Sequence, residues 1–279
     1  MKPRLPAHPT TPADRLGHPG KNPVLAAQDL VERVTHYHPN ADSDLIRRAY
    51  DFAQWAHRDQ TRKSGDPYFM HPASVAGIIA DLRLDTASVI AGLLHDVVED
   101  TETSTAEIAR DFGDEVADLV DGVTKLGKIN FTSKEDRQAE NFRKMVVAMS
   151  KDIRVLLVKL CDRLDNMRTL EHMKPESQER IARETMEIYA PLANRLGMHA
   201  IKSELEDLSF RYTEAVAFDD IKGKLYKSRR ERERYIEGVC RTIQSRLAEQ
   251  GFGADVSGRA KHVYSIYRKL KQHNCDFDK

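Results

Sequence analysis

The stretch 89–101, "VIAGLLHDVVEDT", interrupts an apolar run with four side chains that can exchange protons: His95, Asp96, Glu99 and Asp100. In one continuous helix, His95 and Glu99 would be four residues apart, as would Asp96 and Asp100, so all four would project from adjoining sectors. The leucines and valines around them would face a core, where an unpaired carboxylate is costly. A divalent cation bound by these side chains would remove that cost. The stretch therefore predicts a polar site, able to hold a cation, on a buried helix.

The helical spacing of apolar residues continues on both sides of this stretch. Short Gly, Pro, Asp or Ser signals separate the periodic segments, and no well-formed strand pattern precedes about residue 250. We therefore predict an all-α domain over residues 23–215. The predicted helices are 45–56, 72–83, 86–98, 104–112, 114–120, 135–150, 152–158, 176–190 and 199–209.

Composition excludes some classes of protein. Lys+Arg and Asp+Glu both number 44, so no global charge draws the chain to nucleic acid or to an anionic membrane. Cys161, Cys240 and Cys275 form no CxxC pair, which favours a reducing cytoplasm over a disulfide framework. No apolar run approaches the roughly 18 residues that span a bilayer. Residues 1–22 are rich in Pro, Gly and charge and are predicted to be disordered.

Two further segments carry residues that could complete a cation site. "YFMHPASVA" at 68–76 places His71 before a proline, at the entrance of a predicted helix. In "LLVKLCDRLDNMRTL" at 156–170, Asp162, Asn166 and Thr169 fall on one helical face. Two imidazoles and two carboxylates form a mixed nitrogen and oxygen shell suited to Mn, Fe or Zn ions. The candidate ligands are His71, His95, Asp96 and Asp162. Taken singly, however, His71 also fits a helix start and Asp162 also fits an arginine partner.

The last part of the chain is basic. Residues 222–246 hold nine Lys/Arg against three Glu, on a predicted helix that fits a solvated face. A Gly-bounded strand and a basic, aromatic-bearing helix are predicted to follow in "GFGADVSGRAKHVYSIYRKLKQ". The chain stops soon afterwards, so we expect residues 216–279 to be a linker helix and the beginning of a second domain that has been cut.

The combination of "HP" at 71–72, "HDVVEDT" at 95–101 and "DRLDNMRTL" at 162–170 resembles the HD-superfamily hydrolase domain of long, bifunctional RelA/SpoT-type proteins. These proteins make and destroy the stringent-response alarmone (p)ppGpp. The stretches that support the resemblance are "RKSGDPYFMHP", "LVDGVTKL", "QAENFRKM", "ETMEIYAPLANRLGM" and "IKSELEDLSF". "GRAKHVYSIYRKLK" at 258–271 resembles the start of the adjoining α/β nucleotidyltransferase-like synthetase domain, whose basic segment contacts ATP phosphates.

The resemblance implies an enzyme that removes pyrophosphate from the ribose 3′ position of (p)ppGpp, with Mn²⁺ as cofactor, and returns GDP or GTP. It makes His71, His95, Asp96 and Asp162 the metal ligands. Glu99 and Asp100 match the acidic pair that handles protons of the attacking water and the leaving group. The residues that match substrate-binding positions are Arg62, Lys63, Ser64, Asn166 and Thr169.

Two positions depart from the family pattern: Asp165 stands where the family has His, and Cys161 where it has Ala. The synthetase's metal carboxylates would lie beyond Lys279, so no synthetase activity is expected, and Arg259, Lys261, His262, Ser265, Arg268 and Lys269 would form only part of a phosphate-binding face. Relatives bind ribosomes through regions absent here, and no membrane or nucleic-acid partner is expected. The alternatives are an HD phosphohydrolase for another nucleotide and a non-catalytic nucleotide-sensing module.

Overall fold

In the computed structural model, the residues whose structure is described are 25–127, 152–227 and 229–274. The chain divides into two compact units between Asp162 and Arg163. The predicted disordered segment 1–22 and the predicted helix 135–150 lie outside the described residues. The division into two units follows from contacts between residues, whereas the boundary predicted at residue 215 separates two domain types. The predicted boundary therefore stays a prediction.

The described residues are helical, as predicted. They contain no strand, and their one isolated antiparallel bridge joins Thr61 to Pro67. The first unit contains α1 (Ala27–Tyr37), α2 (Ser43–Ala56), α3 (Met70–Asp81), α4 (Thr86–Leu94), α5 (Val97–Asp100), α6 (Thr105–Phe112), α7 (Asp114–Gly127) and most of α8 (Ile153–Arg168).

Helix α4 forms the centre of the first unit and packs against α2, α3 and α7. Residues 88–94 are all buried. The Asp85 side chain caps the helix by accepting the Ser88 N–H at 2.8 Å, which satisfies one of the donors left open at a helix start. A Cβ added at Gly92 would come within 2.5 Å of Ile79 Cδ1, so this glycine permits the close approach of α3 and α4.

The second unit continues with a 3₁₀ turn (Leu170–His172), α9 (Pro175–Glu184), a π-helical turn (Thr185–Tyr189), α10 (Ala190–Arg195), α11 (His199–Thr213), α12 (Ala215–Lys227), α13 (Arg229–Glu249) and α14 (Val263–His273). Helix α11 contacts α9, α10, α12, α14 and the π-helical turn. Its Asp207 carboxylate accepts the N–H groups of Val263 and Tyr264 at 3.3 and 2.8 Å and therefore caps α14. The rings of Phe210 and Tyr267 pack together with their centroids 4.5 Å apart. This apolar contact also fixes α14 on α11.

The strand predicted after Gly251 is absent: residues 252–262 have no regular secondary structure. A strand needs a neighbour to pair its backbone N–H and C=O groups, and the described part of the chain offers no other strand. Helix α14, which was predicted to follow, is present. Among the described residues, no helix combines the length and the apolar character needed to cross a bilayer.

Candidate metal centre

Three separate segments of the first unit carry the predicted metal ligands. His71 is the second residue of α3, His95 and Asp96 join α4 to α5, and Asp162 lies on α8. The structure brings one ligand atom each from His71, His95 and Asp162 within 4.8 Å of one another. All three side chains are buried. Residues far apart in sequence thus converge on one small polar centre.

The distances within this centre suit a shared cation. His71 Nε2 lies 3.2 Å from Asp162 Oδ1, and His95 Nε2 lies 3.9 Å from the same oxygen. The carboxylate of Asp96 borders both imidazoles, since its Oδ1 is 3.2 Å from His95 Nε2 and its Oδ2 is 3.6 Å from His71 Nε2. Both imidazoles therefore lie within 3.9 Å of both carboxylates, distances that an ion could bridge.

The ring of His95 is prepared for a ligand. Its Nδ1 lies 2.9 Å from the Gly92 carbonyl oxygen, which can only accept a hydrogen bond, so Nδ1 carries the proton. In the neutral ring this leaves the lone pair on Nε2. Nε2 is buried and lacks a hydrogen-bond partner, although Asp96 is close. A buried nitrogen without a partner, surrounded by carboxylates, fits a divalent cation, and a backbone carbonyl on the other ring nitrogen is typical of metal-bound histidines.

The predicted helix 86–98 is interrupted at the same place. Helix α4 ends at Leu94, and the four-residue α5 begins at Val97. The His95 ring donates to the Gly92 carbonyl, the group that would accept the Asp96 N–H in a continuous helix. The prediction of one unbroken helix through His95 and Asp96 is wrong, and these two predicted ligands lie at the junction.

The surroundings of Asp162 favour its ionised form. Burial raises the pKa of its carboxyl, but the nearby charge of Lys159 and the hydrogen bond with His71 help to outweigh burial and hold the pKa well below its usual value. Lys159 Nζ lies 2.7 Å from Asp162 Oδ2 and leaves Oδ1 directed to the imidazoles. We did not predict this lysine, although its position three residues before Asp162 on a helix would have indicated the pair.

The predicted acidic pair, Glu99 and Asp100, lies on α5, and both residues are exposed. The carboxylate of Asp100 is connected to the centre through Tyr68, whose hydroxyl lies 2.8 Å from Asp96 Oδ2 and 2.9 Å from Asp100 Oδ2. Burial, followed by the charge and hydrogen bond of Asp96 and then of Asp100, raises the pKa of Tyr68 far above its usual value. Tyr68 is therefore a hydrogen-bond donor here, and it is not among the predicted site residues.

Arg62, Lys63 and Ser64 lie on a tight loop between α2 and α3. The Arg62 N–H donates to the Asp66 carbonyl at 2.8 Å, and the Gly65 N–H donates back to the Arg62 carbonyl at 2.9 Å. Gly65 has a φ of +86°, which glycine adopts without strain. Arg62 and Ser64 are half-buried, whereas Lys63 is exposed. The loop is thus well defined, and the roles of the three side chains in substrate binding stay predictions.

Asn166 and Thr169 lie beyond the division at Asp162, at the end of α8, and both are half-buried. Thr169 Oγ1 donates to the Asp165 carbonyl at 3.2 Å and so helps to end the helix. Their contact with a substrate stays a prediction. The two departures, Asp165 and Cys161, are both buried, which agrees with the interpretation of Cys161 as a small core residue.

The basic residues near the end of the chain lie mostly at the surface. Arg259, Lys261, Arg268 and Lys269 are exposed, whereas His262 and Ser265 are half-buried. His262 Nδ1 lies 3.2 Å from Asp207 Oδ2, and its Nε2 lies 2.7 Å from Arg259 Nη1. An acidic side chain thus already lies at the start of α14. Phosphate binding by this segment stays a prediction.

Comparison with known proteins identifies the family. The HD-domain family profile matches residues 49–199. A "GTP pyrophosphokinase" of Myxococcus xanthus is 57% identical over 88% of this chain and 33% of its own length. A "Probable guanosine-3′,5′-bis(diphosphate) 3′-pyrophosphohydrolase" of Synechocystis is 52% identical over 84% of this chain and 31% of its own length. The "Bifunctional (p)ppGpp synthase/hydrolase SpoT" of Escherichia coli K12 is 47% identical over 87% of this chain and 35% of its own length.

The chain thus spans about a third of the length of these curated relatives. A solved structure of a metazoan SpoT ortholog covers 60% of this chain and 94% of its own, with 28% identity and a TM-score of 0.42. At that TM-score the likeness carries no structural conclusion. The family match and the high identities decide the assignment: the chain belongs to the HD-domain family and, within it, corresponds to the HD region of RelA/SpoT-type proteins.

Proposed function

We propose that this chain hydrolyses the 3′-pyrophosphate of (p)ppGpp, giving GDP or GTP and pyrophosphate, and that Mn²⁺ is its metal. The observation that carries the proposal is the buried convergence of His71, His95 and Asp162, with Asp96 beside them. Two of the relatives above are named for hydrolysis of this nucleotide and one for GTP pyrophosphokinase activity. A metal centre lined with carboxylates favours hydrolysis as the activity of this region.

His71, His95, Asp96 and Asp162 would hold the cation. A bound divalent cation makes water more acidic and neutralises phosphate charge, which are the two requirements of phosphate-ester hydrolysis at neutral pH. The low pKa of Asp162 beside Lys159 supports this role, as does the His95 ring, whose Nδ1 faces the Gly92 carbonyl and leaves Nε2 directed into the centre. Mixed nitrogen and oxygen ligands suit Mn²⁺, and they also suit Fe²⁺ and Zn²⁺, so the choice of metal is part of the proposal.

Glu99 and Asp100 would handle protons. Both are exposed carboxylates on α5, directly after the two ligands of the α4–α5 junction, so water can reach them. Glu99 or Asp100 would accept the proton of the attacking water, and the other would assist the leaving group. Asp100 is hydrogen-bonded to Tyr68, which restricts the position of its carboxylate.

The remaining predicted residues would bind the nucleotide. The flat guanidinium of Arg62 can stack on guanine, and the exposed ammonium of Lys63 can meet phosphate as a compact charge. Ser64 would add a hydroxyl from the same loop, and Asn166 and Thr169 are assigned to the sugar and phosphates from the family resemblance. A cytoplasmic location, no synthetase activity and ribosome contact only through regions outside this chain remain predictions.

The test is turnover of ppGpp in the presence of Mn²⁺, scored as release of GDP and pyrophosphate. Asp96→Asn should lower turnover by more than about 100-fold, because it removes a ligand charge and even outer partners of metal ligands are worth about 10–100-fold. If Glu99 is the general base, Glu99→Gln should lower turnover by a factor on the order of 10²–10⁴. Asp81→Asn, at the other end of α3 in an exposed pair with Arg33, is the matched control and should leave turnover unchanged.

Two other results would replace the proposal. Turnover of a deoxynucleotide in preference to ppGpp would indicate an HD phosphohydrolase of different specificity. Binding of ppGpp by the folded wild type without release of either product would indicate a nucleotide-sensing module.

A further inference from the structure

One hydroxyl lies between a predicted metal ligand and a predicted proton-handling residue. The Tyr68 hydroxyl is 2.8 Å from Asp96 Oδ2 and 2.9 Å from Asp100 Oδ2. A phenol has a single proton and donates it to one acceptor at a time. The carboxylates of Asp96 and Asp100 therefore share one donor. The Tyr68 hydroxyl holds Oδ2 of Asp96 and Oδ2 of Asp100 close to each other.

The Tyr68 ring packs beside two histidine rings, and its backbone is held by hydrogen bonds. The His57 ring lies 4.8 Å away at a tilt of 34°, and the His71 ring stands edge-on to it at 6.2 Å. The Tyr68 N–H donates to the Gln60 carbonyl, and its own carbonyl accepts the His71 N–H, both at 3.0 Å. Because ring and backbone are both held, the hydroxyl is directed at the two carboxylates before any ligand arrives.

Asp100 is held a second time through its backbone. The Gln60 side-chain amide donates to the Asp100 carbonyl at 2.7 Å, which satisfies an open acceptor at the end of α5. Gln60 is itself oriented by buried His57, whose Nδ1 lies 2.8 Å from the Gln60 amide oxygen. The loop 57–68 therefore fixes both the backbone and the carboxylate of Asp100.

We infer that Tyr68 is a positioning residue that sets the carboxylate of the metal ligand Asp96 and that of Asp100 in one fixed arrangement. With Oδ2 of Asp96 on the Tyr68 hydroxyl, Oδ1 of Asp96 lies 3.2 Å from His95 Nε2, where a cation would be shared. Occupation of the metal site and the position of Asp100 are then linked through one side chain. This inference rests on the proposed function for Asp96 as a metal ligand and for the role of Asp100, and the Mn²⁺ titration tests the first without the second.

The variant Tyr68→Phe removes only the hydroxyl and keeps the ring. Tyr50→Phe is the control, because it removes another hydrogen-bonded tyrosine hydroxyl: Tyr50 is buried, whereas Tyr68 is half-buried, and it packs edge-on against Phe69 and donates its hydroxyl to the Leu25 carbonyl at 2.9 Å. Mn²⁺ affinity is measured by calorimetry without nucleotide, and kcat and KM for ppGpp are measured at saturating Mn²⁺. Thermal unfolding of both variants checks that they are folded.

We expect Tyr68→Phe to weaken Mn²⁺ binding by about tenfold or more and to lower kcat by about 10–100-fold even at saturating Mn²⁺, with little change in KM. In a double-mutant cycle, Tyr68→Phe should lower kcat far less when Asp100→Asn is already present, since the two residues act together.

The inference would be overturned if Tyr68→Phe and Tyr50→Phe had the same Mn²⁺ affinity and the same kcat. It would also be overturned if the effects of Tyr68→Phe and Asp100→Asn on kcat were fully additive. If wild type does not hydrolyse ppGpp, the proposed function fails, whereas the Mn²⁺ titration still decides whether Tyr68 positions Asp96.

Discussion

At the scale of single residues, charged side chains away from the metal centre fix the elements that carry it. Arg154, near the start of α8, donates to Asp152 at 2.6 Å, Asp85 at 2.6 Å and Glu115 at 2.7 Å. Asp85 in turn caps α4, the helix that ends at His95. Burial raises the pKa of Asp85. The hydrogen bonds from Ser88 and Arg154 lower it by more than burial raises it, so the pKa lies below its usual value. The hydrogen bond from Arg154 also lowers the pKa of Asp152.

These shifts predict the dependence of stability on pH. A carboxyl whose pKa is lower in the folded state stabilises the fold above its unfolded pKa, and the contribution is lost as pH falls through the folded value. Asp85→Ala should therefore lower the free energy of unfolding at pH 7 by about 1–2 kcal/mol, the usual value of an N-cap. The difference from wild type should shrink as the pH falls below about 4. Urea unfolding at several pH values measures it, and a constant difference down to pH 2 would contradict the ionic part of the argument.

At the scale of elements, the close approach of α3 and α4 places His71 and the α4–α5 junction side by side. Gly92 permits this approach, and its carbonyl also orients the His95 ring. An added Cβ would meet Ile79 Cδ1 at 2.5 Å and the Ala76 Cα at 3.4 Å, and Ile79 is fully buried, so its side chain has little room to move. Overpacking should exceed the gain in helix propensity of about 1 kcal/mol.

Gly92→Ala should therefore lower the free energy of unfolding by about 1–3 kcal/mol. Gly223→Ala is the matched control, because Gly223 lies within α12 and an added Cβ there would meet no atom within 4 Å. That variant should raise stability by up to about 1 kcal/mol. Urea unfolding distinguishes the two, and a Gly92→Ala protein as stable as Gly223→Ala would show that α3 and α4 can separate without cost.

The elements also show how far sequence predicts this structure. Apolar periodicity predicted the helices near α2 and α6 because each presents one stripe to a core. It did not predict the break at His95, because His95 and Asp96 keep the helical spacing and helical backbone angles although α4 ends at Leu94. The ligand set was predicted from residue chemistry and family resemblance. Tyr68 was not, since its contacts join residues 28 and 32 positions apart and a tyrosine carries no sequence signal for them.

At the scale of the whole molecule, the metal centre joins parts of the first unit that are distant in sequence. Positions 71, 95 and 162 lie on α3, at the end of α4 and on α8, and their ligand atoms lie within 4.8 Å. In the unfolded chain these three side chains are separated by long, flexible loops, so a cation has little affinity for them together. Binding to the folded state alone should therefore stabilise the first unit by mass action.

Mn²⁺ at about 100 times its Kd should stabilise the protein by about 2.7 kcal/mol, which corresponds to a rise in Tm of several degrees. Chelation with EDTA should reverse the rise. His95→Ala should abolish it, because this variant removes the buried Nε2 that has no other partner, whereas Asp81→Asn should keep it. The measurement needs no substrate and is therefore independent of the proposed reaction. A Tm that does not depend on Mn²⁺, Fe²⁺ or Zn²⁺ would mean that the four side chains form a polar core without a metal.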